Sequence, residues 1–172
     1  MEQIFAFLLS LLASLVGVFG NTGEVANWPE SASEGIELVE VIEVIDGDTI
    51  RVLIDGEVES VRYIGIDTPE PYRDGKPACY SQEASVRNQE LVENRFVKLI
   101  ADVEDKDKYD RLLRYVYVDD LFINEVLVSE GYAKTLPIKP NTKHAREFKE
   151  LQDTAKERGL GLWGECDKWN SE

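Results

Sequence analysis

Three short segments of the chain carry carboxylates and arginines in a combination that could hydrolyse a phosphodiester. They are Asp46-Gly47-Asp48-Thr49, the run 62–70, and Asp110-Arg111. Carboxylate oxygens are the ligands that a hard divalent cation prefers, and arginine pairs with the oxygens of a phosphate under attack. Each segment also has an ordinary structural explanation, because Asp-Gly favours a turn and Thr-Pro is a common exit from a strand. The combination, rather than any one segment, indicates chemistry.

Two aspartates are the candidate metal ligands. Asp48 and Asp67 could supply carboxylate oxygens to one Ca²⁺, with the Thr68 carbonyl as a third protein ligand and water in the remaining positions. An EF-hand is excluded, because position six of a loop starting at Asp46 is Arg51 rather than the glycine that such a loop requires. The sequence therefore predicts a calcium site assembled from separate segments.

Three further residues could act on the phosphate. Glu70 could hold and deprotonate an attacking water, while Arg62 and Arg111 could bind the phosphate and the charge that develops on it. Arg62 and Asp67 differ by an odd count, so strict alternation along a strand would place them on opposite faces. If both face one site, the strand must break its pleat, and Gly65 is the natural position for that break.

The composition excludes several other kinds of active site. A single histidine, His144, and two cysteines cannot form a histidine-rich or four-cysteine zinc site. The sequence also contains no Walker-type phosphate loop, dinucleotide-binding glycine fingerprint or serine nucleophile elbow. The formal net charge of −15 is unusual for a protein that binds nucleic acid. An acidic Ca²⁺-binding surface protein would explain that charge, but it would not explain Arg62 and Arg111.

The sequence predicts one globular domain preceded by an appendage, residues 1–20, and a linker. Residues 4–19 are almost entirely apolar, which fits a secretory signal peptide, although the residues before them include Glu2 and no lysine or arginine. An uncleaved N-terminal membrane anchor is therefore the alternative for residues 1–20, with attachment through residues 4–20. Residues 21–36 predict a flexible linker, and residues 37–172 predict the folded domain. The expected location is secreted or extracytoplasmic.

Apolar alternation and turn residues predict a mainly β protein of the α+β class. Asp-Gly turns separate the first three strands, and glycines end the last two helices. Five strands with helices in their connections favour a closed OB-fold barrel with three helices over an open parallel sheet. The predicted strands are 38–45, 49–54, 58–66, 96–103 and 112–118, and the predicted helices are 81–94, with Ser81 as its cap, 124–131 and 143–159.

These motifs, in this order, resemble the staphylococcal (micrococcal) nuclease family over residues 39–163. The resemblance implies an OB-fold with three helices and Ca²⁺-dependent hydrolysis of DNA and RNA. A monomer is expected, and no protein partner is implied. The matching segments are the Asp-Gly-Asp-Thr turn, the run 62–70, Glu83-Ala84-Ser85, Asp107-Lys108-Tyr109-Asp110-Arg111, Asn124-Glu125, Gly131-Tyr132-Ala133-Lys134 and Lys139-Pro140-Asn141.

The resemblance also implies roles for individual residues. It implies the same metal ligands, general base and arginines that the residue types suggest. It adds Asp46 as a support behind the metal ligands, and Lys108 and Tyr109 as the lining of a pocket for the terminal nucleotide. Leu136 and Ile138 depart from the family, which has tyrosines at these positions, so the base preference is open. A non-catalytic module of the same fold, which binds nucleic acid or protein, is the alternative function.

The two cysteines lie far apart in the sequence. Cys79 precedes the first predicted helix, and Cys166 lies near the C-terminus. Two separate thiols are one interpretation. Because an export signal would place the chain in an oxidising compartment, a disulfide between them is the favoured interpretation. Such a bridge would close a long loop and add roughly 4 kcal/mol of stability.

Overall fold

The computed structural model describes residues 36–71 and 76–167 of the 172-residue chain. The signal peptide or anchor predicted for residues 1–20 lies outside the described residues. The linker predicted for residues 21–36 also lies outside them, except for Ile36, which begins the first strand. In the part of the chain that the structure describes, no helix combines the length and the apolar character needed to cross a membrane.

Three antiparallel strands form the predicted meander at the start of the domain. They are β1 (Ile36–Val44), β2 (Thr49–Ile54) and β3 (Glu57–Tyr63). The turn between β2 and β3 has positive φ at both Asp55 and Gly56, 51° and 87°, which is the conformation that a two-residue hairpin favours. Alternate residues of β2 point inwards, as the β-branched pattern predicts.

The barrel closes through two later strands, β5 (Phe96–Ile100) and β6 (Leu112–Val118). β5 pairs with β1 and β6, and β6 pairs in parallel with β3. This β3–β6 seam completes a five-stranded barrel and confirms the predicted α+β fold class. β5 is shorter than predicted, because the N–H of Val103 leaves the sheet and donates to the side chain of Asn141.

The third predicted strand is broken where a glycine interrupts it. The chain leaves β3 at Tyr63 and forms a separate short strand, β4 (Gly65–Asp67). β4 pairs with β8 (Lys134–Leu136) in a two-stranded sheet that the sequence did not predict, and β7 (Leu121–Phe122) extends the barrel sheet beyond β6. Gly65 has φ +80°, a conformation that glycine adopts without strain, so the predicted break is confirmed.

Four helices accompany the described strands, one more than predicted. The unpredicted helix, α4 (Leu162–Glu165), is a single short turn that follows Gly161. The predicted cap of the first helix, α1 (Ser81–Val92), is wrong, because Tyr80 occupies the cap position with φ 68° and Ser81 is the first helical residue. The helices are α1 (Ser81–Val92), α2 (Ile123–Ser129), α3 (Ala145–Glu157) and α4 (Leu162–Glu165).

The described domain has two apolar clusters. The larger one fills the barrel and reaches Phe148 of α3. The smaller one gathers Ala155, Leu162, Trp163 and Cys166 at the C-terminal end. A disulfide joins Cys166 to Cys79, with a Cα–Cα distance of 6.0 Å. Because Cys79 lies just before α1, the bridge fixes the start of this helix to the smaller cluster.

Candidate active site

The break at Gly65 places Arg62 and Asp67 on one site. Arg62 lies opposite Thr49 in the β2–β3 ladder, and its Nη2 donates to Oδ1 of Asp67 at 3.0 Å. Without the break, alternation would separate these two side chains. A Cβ on Gly65 would approach the ring of Phe148 to 3.0 Å, so the position is also restricted by packing.

The Asp46–Thr49 loop buries its second aspartate against Thr68. Asp48 is 3% exposed, and its Oδ2 accepts from the backbone N–H of Thr68 at 2.7 Å and from the Thr68 hydroxyl at 2.9 Å. Gly47 permits this contact, because a Cβ there would lie 2.7 Å from Thr68 Oγ1. Asp46 supports the loop from within, since its Oδ1 accepts from the N–H of Asp48 at 3.0 Å.

Arg62 joins the two candidate metal ligands. Its Nη1 lies 2.6 Å from Oδ1 of Asp48, and its Nη2 contacts Asp67. The approach to Asp48 is an ion pair rather than a well-aligned hydrogen bond, because Nη1 is buried without a partner at a favourable angle. Burial raises the pKa of Asp48 to about 7. The charge of Arg62 lowers this pKa, whereas the charge of Asp46 raises it further. The positive charge of Arg62 thus offsets only part of the cost of burying the charged form of Asp48.

The donor set fits a cation that prefers oxygen. Asp48 and Asp67 provide two carboxylates, and the Thr68 carbonyl would add a third protein oxygen. Among the residues that the structure describes, no group of three or more histidine, cysteine, aspartate or glutamate side chains could hold a metal. With two carboxylates, water would have to complete the coordination, which suits Ca²⁺ or Mg²⁺ better than Zn²⁺. Because Arg62 only partly stabilises the buried negative charge of Asp48, a bound cation would be favourable at this position.

Glu70 lies at the exposed edge of this carboxylate cluster. Partial burial raises its pKa, and the negative charges of Asp46 and Asp67 act in the same direction. The positive charges of Arg62 and Arg111 lower it. The same four groups therefore influence Glu70 electrostatically, although they come from separate segments. A carboxylate with a raised pKa is a stronger base towards water.

Arg111 is oriented by a carboxylate on the adjoining loop. Its Nε and Nη2 lie 2.8 and 2.7 Å from Oδ2 of Asp107, and its backbone N–H donates to Oδ1 at 3.0 Å. Burial tends to raise the pKa of Asp107, but the hydrogen bonds from Arg111 and from the N–H of Tyr109 outweigh burial and lower it. Asp107 therefore stays charged and holds the guanidinium in place.

A cavity of about 370 Å³ adjoins the two arginines. Arg62, Arg111, Lys108 and Tyr109 line it, together with an apolar wall that includes Leu113, Leu136 and Ile138. The ring of Tyr109 is 67% exposed and lies 4.9 Å from Lys108 Nζ and 5.5 Å from Arg111 Cζ. The volume of the cavity falls within the usual range for a small-ligand pocket.

A comparison with known families adds an independent observation. The family model described as "Staphylococcal nuclease homologue" matches residues 60–165, more than half of the chain. The chain belongs to the staphylococcal nuclease family. The matched region contains Arg62, Asp67, Glu70 and Arg111, and it begins after Asp48.

Three relatives of the chain carry nuclease names. The SPbeta prophage-derived endonuclease YokF of Bacillus subtilis (strain 168) is 43% identical over 134 residues, which cover 74% of this chain and 45% of YokF. Endonuclease YncB of the same strain is 39% identical over 152 residues, covering 84% of this chain and 71% of YncB. The thermonuclease of Staphylococcus hyicus is 38% identical over 124 residues, covering 72% of this chain and 73% of the thermonuclease. The chain thus spans less than half the length of YokF.

Sequence reasoning missed two contacts of this staphylococcal nuclease domain. Lys134 Nζ lies 3.4 Å from Oδ2 of Asp67, because β8 pairs with β4. Asn88, fully buried in α1, donates to the Asp46 carbonyl at 2.9 Å and accepts from the Tyr63 hydroxyl at 2.9 Å. An asparagine at i+4 from the buried Ala84 was an available signal, because a polar residue on an apolar helix face needs a partner.

Proposed function

We propose that this chain is a calcium-dependent endonuclease that hydrolyses phosphodiester bonds of DNA and RNA. The observation that supports it best is the contact of Arg62 with both Asp48 and Asp67, at a site that also influences the pKa of Glu70. The fit of the oxygen donors to a hard cation and the nuclease names of the relatives support the same function.

Each residue of the site has a defined task in this proposal. Glu70 accepts a proton from water, whose oxygen forms a bond to phosphorus while the ester P–O bond breaks. The leaving alkoxide takes up a proton from solvent water. Arg62 and Arg111 bind the non-bridging phosphate oxygens and stabilise the charge that grows on them. A cation held by Asp48 and Asp67 would supply Lewis-acid polarisation of the phosphate and would relieve Arg62 of neutralising these carboxylates.

The proposal is tested by cleavage of DNA and of RNA. We expect release of acid-soluble nucleotides with Ca²⁺ and its loss with a chelator, and a panel with Mg²⁺ and Mn²⁺ identifies the working metal. Replacing Glu70 or Arg62 by alanine should lower kcat by roughly 10²-fold or more. Glu57→Ala is the matched control, because Glu57 is exposed at the start of β3.

Two results would overturn the proposal. Full activity of Glu70→Ala or Arg62→Ala would remove the residue concerned from the mechanism. Failure of the unaltered protein to cleave any substrate, with retained nucleic-acid binding, would favour the non-catalytic module instead.

We further propose that residues 1–20 direct export, as a cleaved signal peptide or as a membrane anchor. The apolar run of residues 4–19 supports this proposal. Expression in a secreting host, followed by N-terminal sequencing of the mature protein, distinguishes the two. Recovery of the uncleaved chain solely in the cytosolic fraction would contradict both.

A further inference from the structure

The cavity beside the arginines contains a carboxylate that the proposed chemistry does not use. Glu104 lines the same cavity as Arg62 and Arg111. Its side chain is exposed, and no hydrogen bond or ion pair among the described residues engages its carboxylate. A free carboxylate repels phosphate, so it is unfavourable in a pocket that binds phosphate alone. Glu104 is therefore suited to another part of the ligand.

A buried side chain fixes the backbone of Glu104. Asn141 accepts from the N–H of Glu104 at 2.8 Å and donates to its carbonyl at 2.9 Å. Asn141 also accepts from the N–H of Val103 at 3.0 Å, and it is only 4% exposed. Because both backbone groups of Glu104 are held, its carboxylate projects from a defined position on the cavity wall.

Glu104 lies at the base of the 105–113 hairpin, which carries Lys108 and Arg111. The N–H of Leu113 donates to the Asp105 carbonyl at 2.8 Å and closes the base of the hairpin, next to Glu104. Lys108 lies towards the tip of the hairpin, beyond the pairing of Asp107 with Arg111. The cavity lining therefore combines the positive charges of Arg62, Lys108 and Arg111 with the carboxylate of Glu104, which can accept hydrogen bonds.

We propose that Glu104 is a specificity-determining residue that selects the base beside the scissile phosphate. This inference rests on the proposed nuclease function. Guanine is the preferred base, because its N1–H and N2–H present two adjacent donors to the two carboxylate oxygens. Cytosine and adenine present an amino group, whereas thymine and uracil place carbonyl oxygens beside their single N–H. Leu136 and Ile138 contact the base without distinguishing among the four.

Cleavage-site mapping tests this selection. The probes are end-labelled single-stranded oligodeoxynucleotides of equal length that place each base in turn beside one central bond. With Ca²⁺, the unaltered protein should cleave beside guanine at least roughly tenfold faster than beside thymine. Glu104→Gln should reduce this ratio about tenfold and raise the rate beside thymine, because a glutamine amide can donate to a thymine carbonyl. Glu57→Gln, which alters another exposed glutamate, should leave the ratio unchanged.

The outcomes separate this inference from the function on which it rests. Cleavage with equal rates beside guanine and thymine, or with the same preference in Glu104→Gln, overturns the role of Glu104 and leaves the nuclease proposal standing. No cleavage of any oligonucleotide by the unaltered protein overturns the nuclease proposal itself. Thermal melting of both variants verifies that each is folded.

Discussion

Arg62 and Asp67 form a hydrogen bond at 3.0 Å although an unbroken strand would point them to opposite faces. The turn of the chain at Gly65 makes this contact, and its φ of +80° is strained for any residue with a side chain. The geometry of the candidate active site therefore depends on a residue that contributes no chemical group to it.

Gly65→Ala should lower both stability and activity. The left-handed conformation costs about 1–2 kcal/mol for alanine, and the new Cβ would also press on the ring of Phe148. Displacement of Asp67 should reduce kcat by roughly 10²-fold. Gly56→Ala is the matched control, because Gly56 has φ +87° but no atom within 4 Å of an added Cβ. Urea denaturation and initial rates should show a stability loss in both variants and a rate loss in Gly65→Ala alone. Equal rates for the two variants would contradict this view of the break.

Asp48 should make the metal-free protein less stable as pH rises. Its pKa is raised from the usual 3.8 to about 7, so between these values the folded protein retains a proton that the unfolded chain releases. Stability is therefore lost as pH increases through this window. Asp48→Asn lacks the titrating group, so its stability relative to the unaltered protein should improve from pH 4 to pH 7. Melting temperatures of both proteins in a chelator measure the difference. Parallel pH profiles would show that Asp48 does not titrate in this range.

Asn88→Ala should destabilise the loop that carries Asp46. The change removes one buried and one partly buried hydrogen bond, and it leaves the Tyr63 hydroxyl and the Asp46 carbonyl without their partner. Buried unsatisfied groups cost about 1–3 kcal/mol each, so a loss of roughly 2–4 kcal/mol is expected in urea denaturation. Gln89→Ala on the exposed face of the same helix should cost much less, and a similar loss in both variants would exclude a special role for Asn88.

The disulfide should contribute strongly to stability. Cys79 and Cys166 are separated by 87 residues, so the bridge restricts a large part of the unfolded chain. Cys79→Ser should lower the free energy of unfolding by roughly 4 kcal/mol. A reductant should lower the unaltered protein to the same level and leave Cys79→Ser unchanged. An effect of the reductant on the variant would point to another cause.

Loss of the disulfide should also affect the position of Glu70, the candidate general base. The N–H of Ala78, next to Cys79, donates to the carbonyl of Glu70 at 3.0 Å. The bridge to Cys166 therefore anchors the far end of the segment that begins at Glu70. Activity of Cys79→Ser below its melting temperature shows how much this anchor contributes to the position of Glu70.

Local patterns in the sequence were sufficient for much of the fold. The β-branched run at Thr49–Ile54 and the Asp55-Gly56 turn have the predicted bounds and conformation. The odd separation of Arg62 and Asp67 indicated a break at Gly65, because the period of a strand alone determines which face each residue takes. These features depend on residues close together in the chain, which is where periodicity and turn chemistry are informative.

Contacts between distant segments could not be predicted in the same way. The pairing of β4 with β8 places Lys134 beside Asp67, but three-residue strands are too short to show a period. The cap of α1 was wrong because Tyr80 enters the helix in a left-handed conformation that propensity did not indicate. Glu104 was missed since its significance comes from Asn141, 37 residues later.

The parallel seam between β3 and β6 determines when the site can form during folding. The seam pairs Arg62 with Leu113, so Arg62 and Arg111 line one cavity only after strands about fifty residues apart have joined. Such non-local pairing is entropically costly and forms slowly compared with the β1–β3 meander. A collapsed chain with its hairpins in place would still lack a phosphate-binding pair. Recovery of activity in a refolding experiment should therefore report the final closure of the barrel rather than the collapse that precedes it.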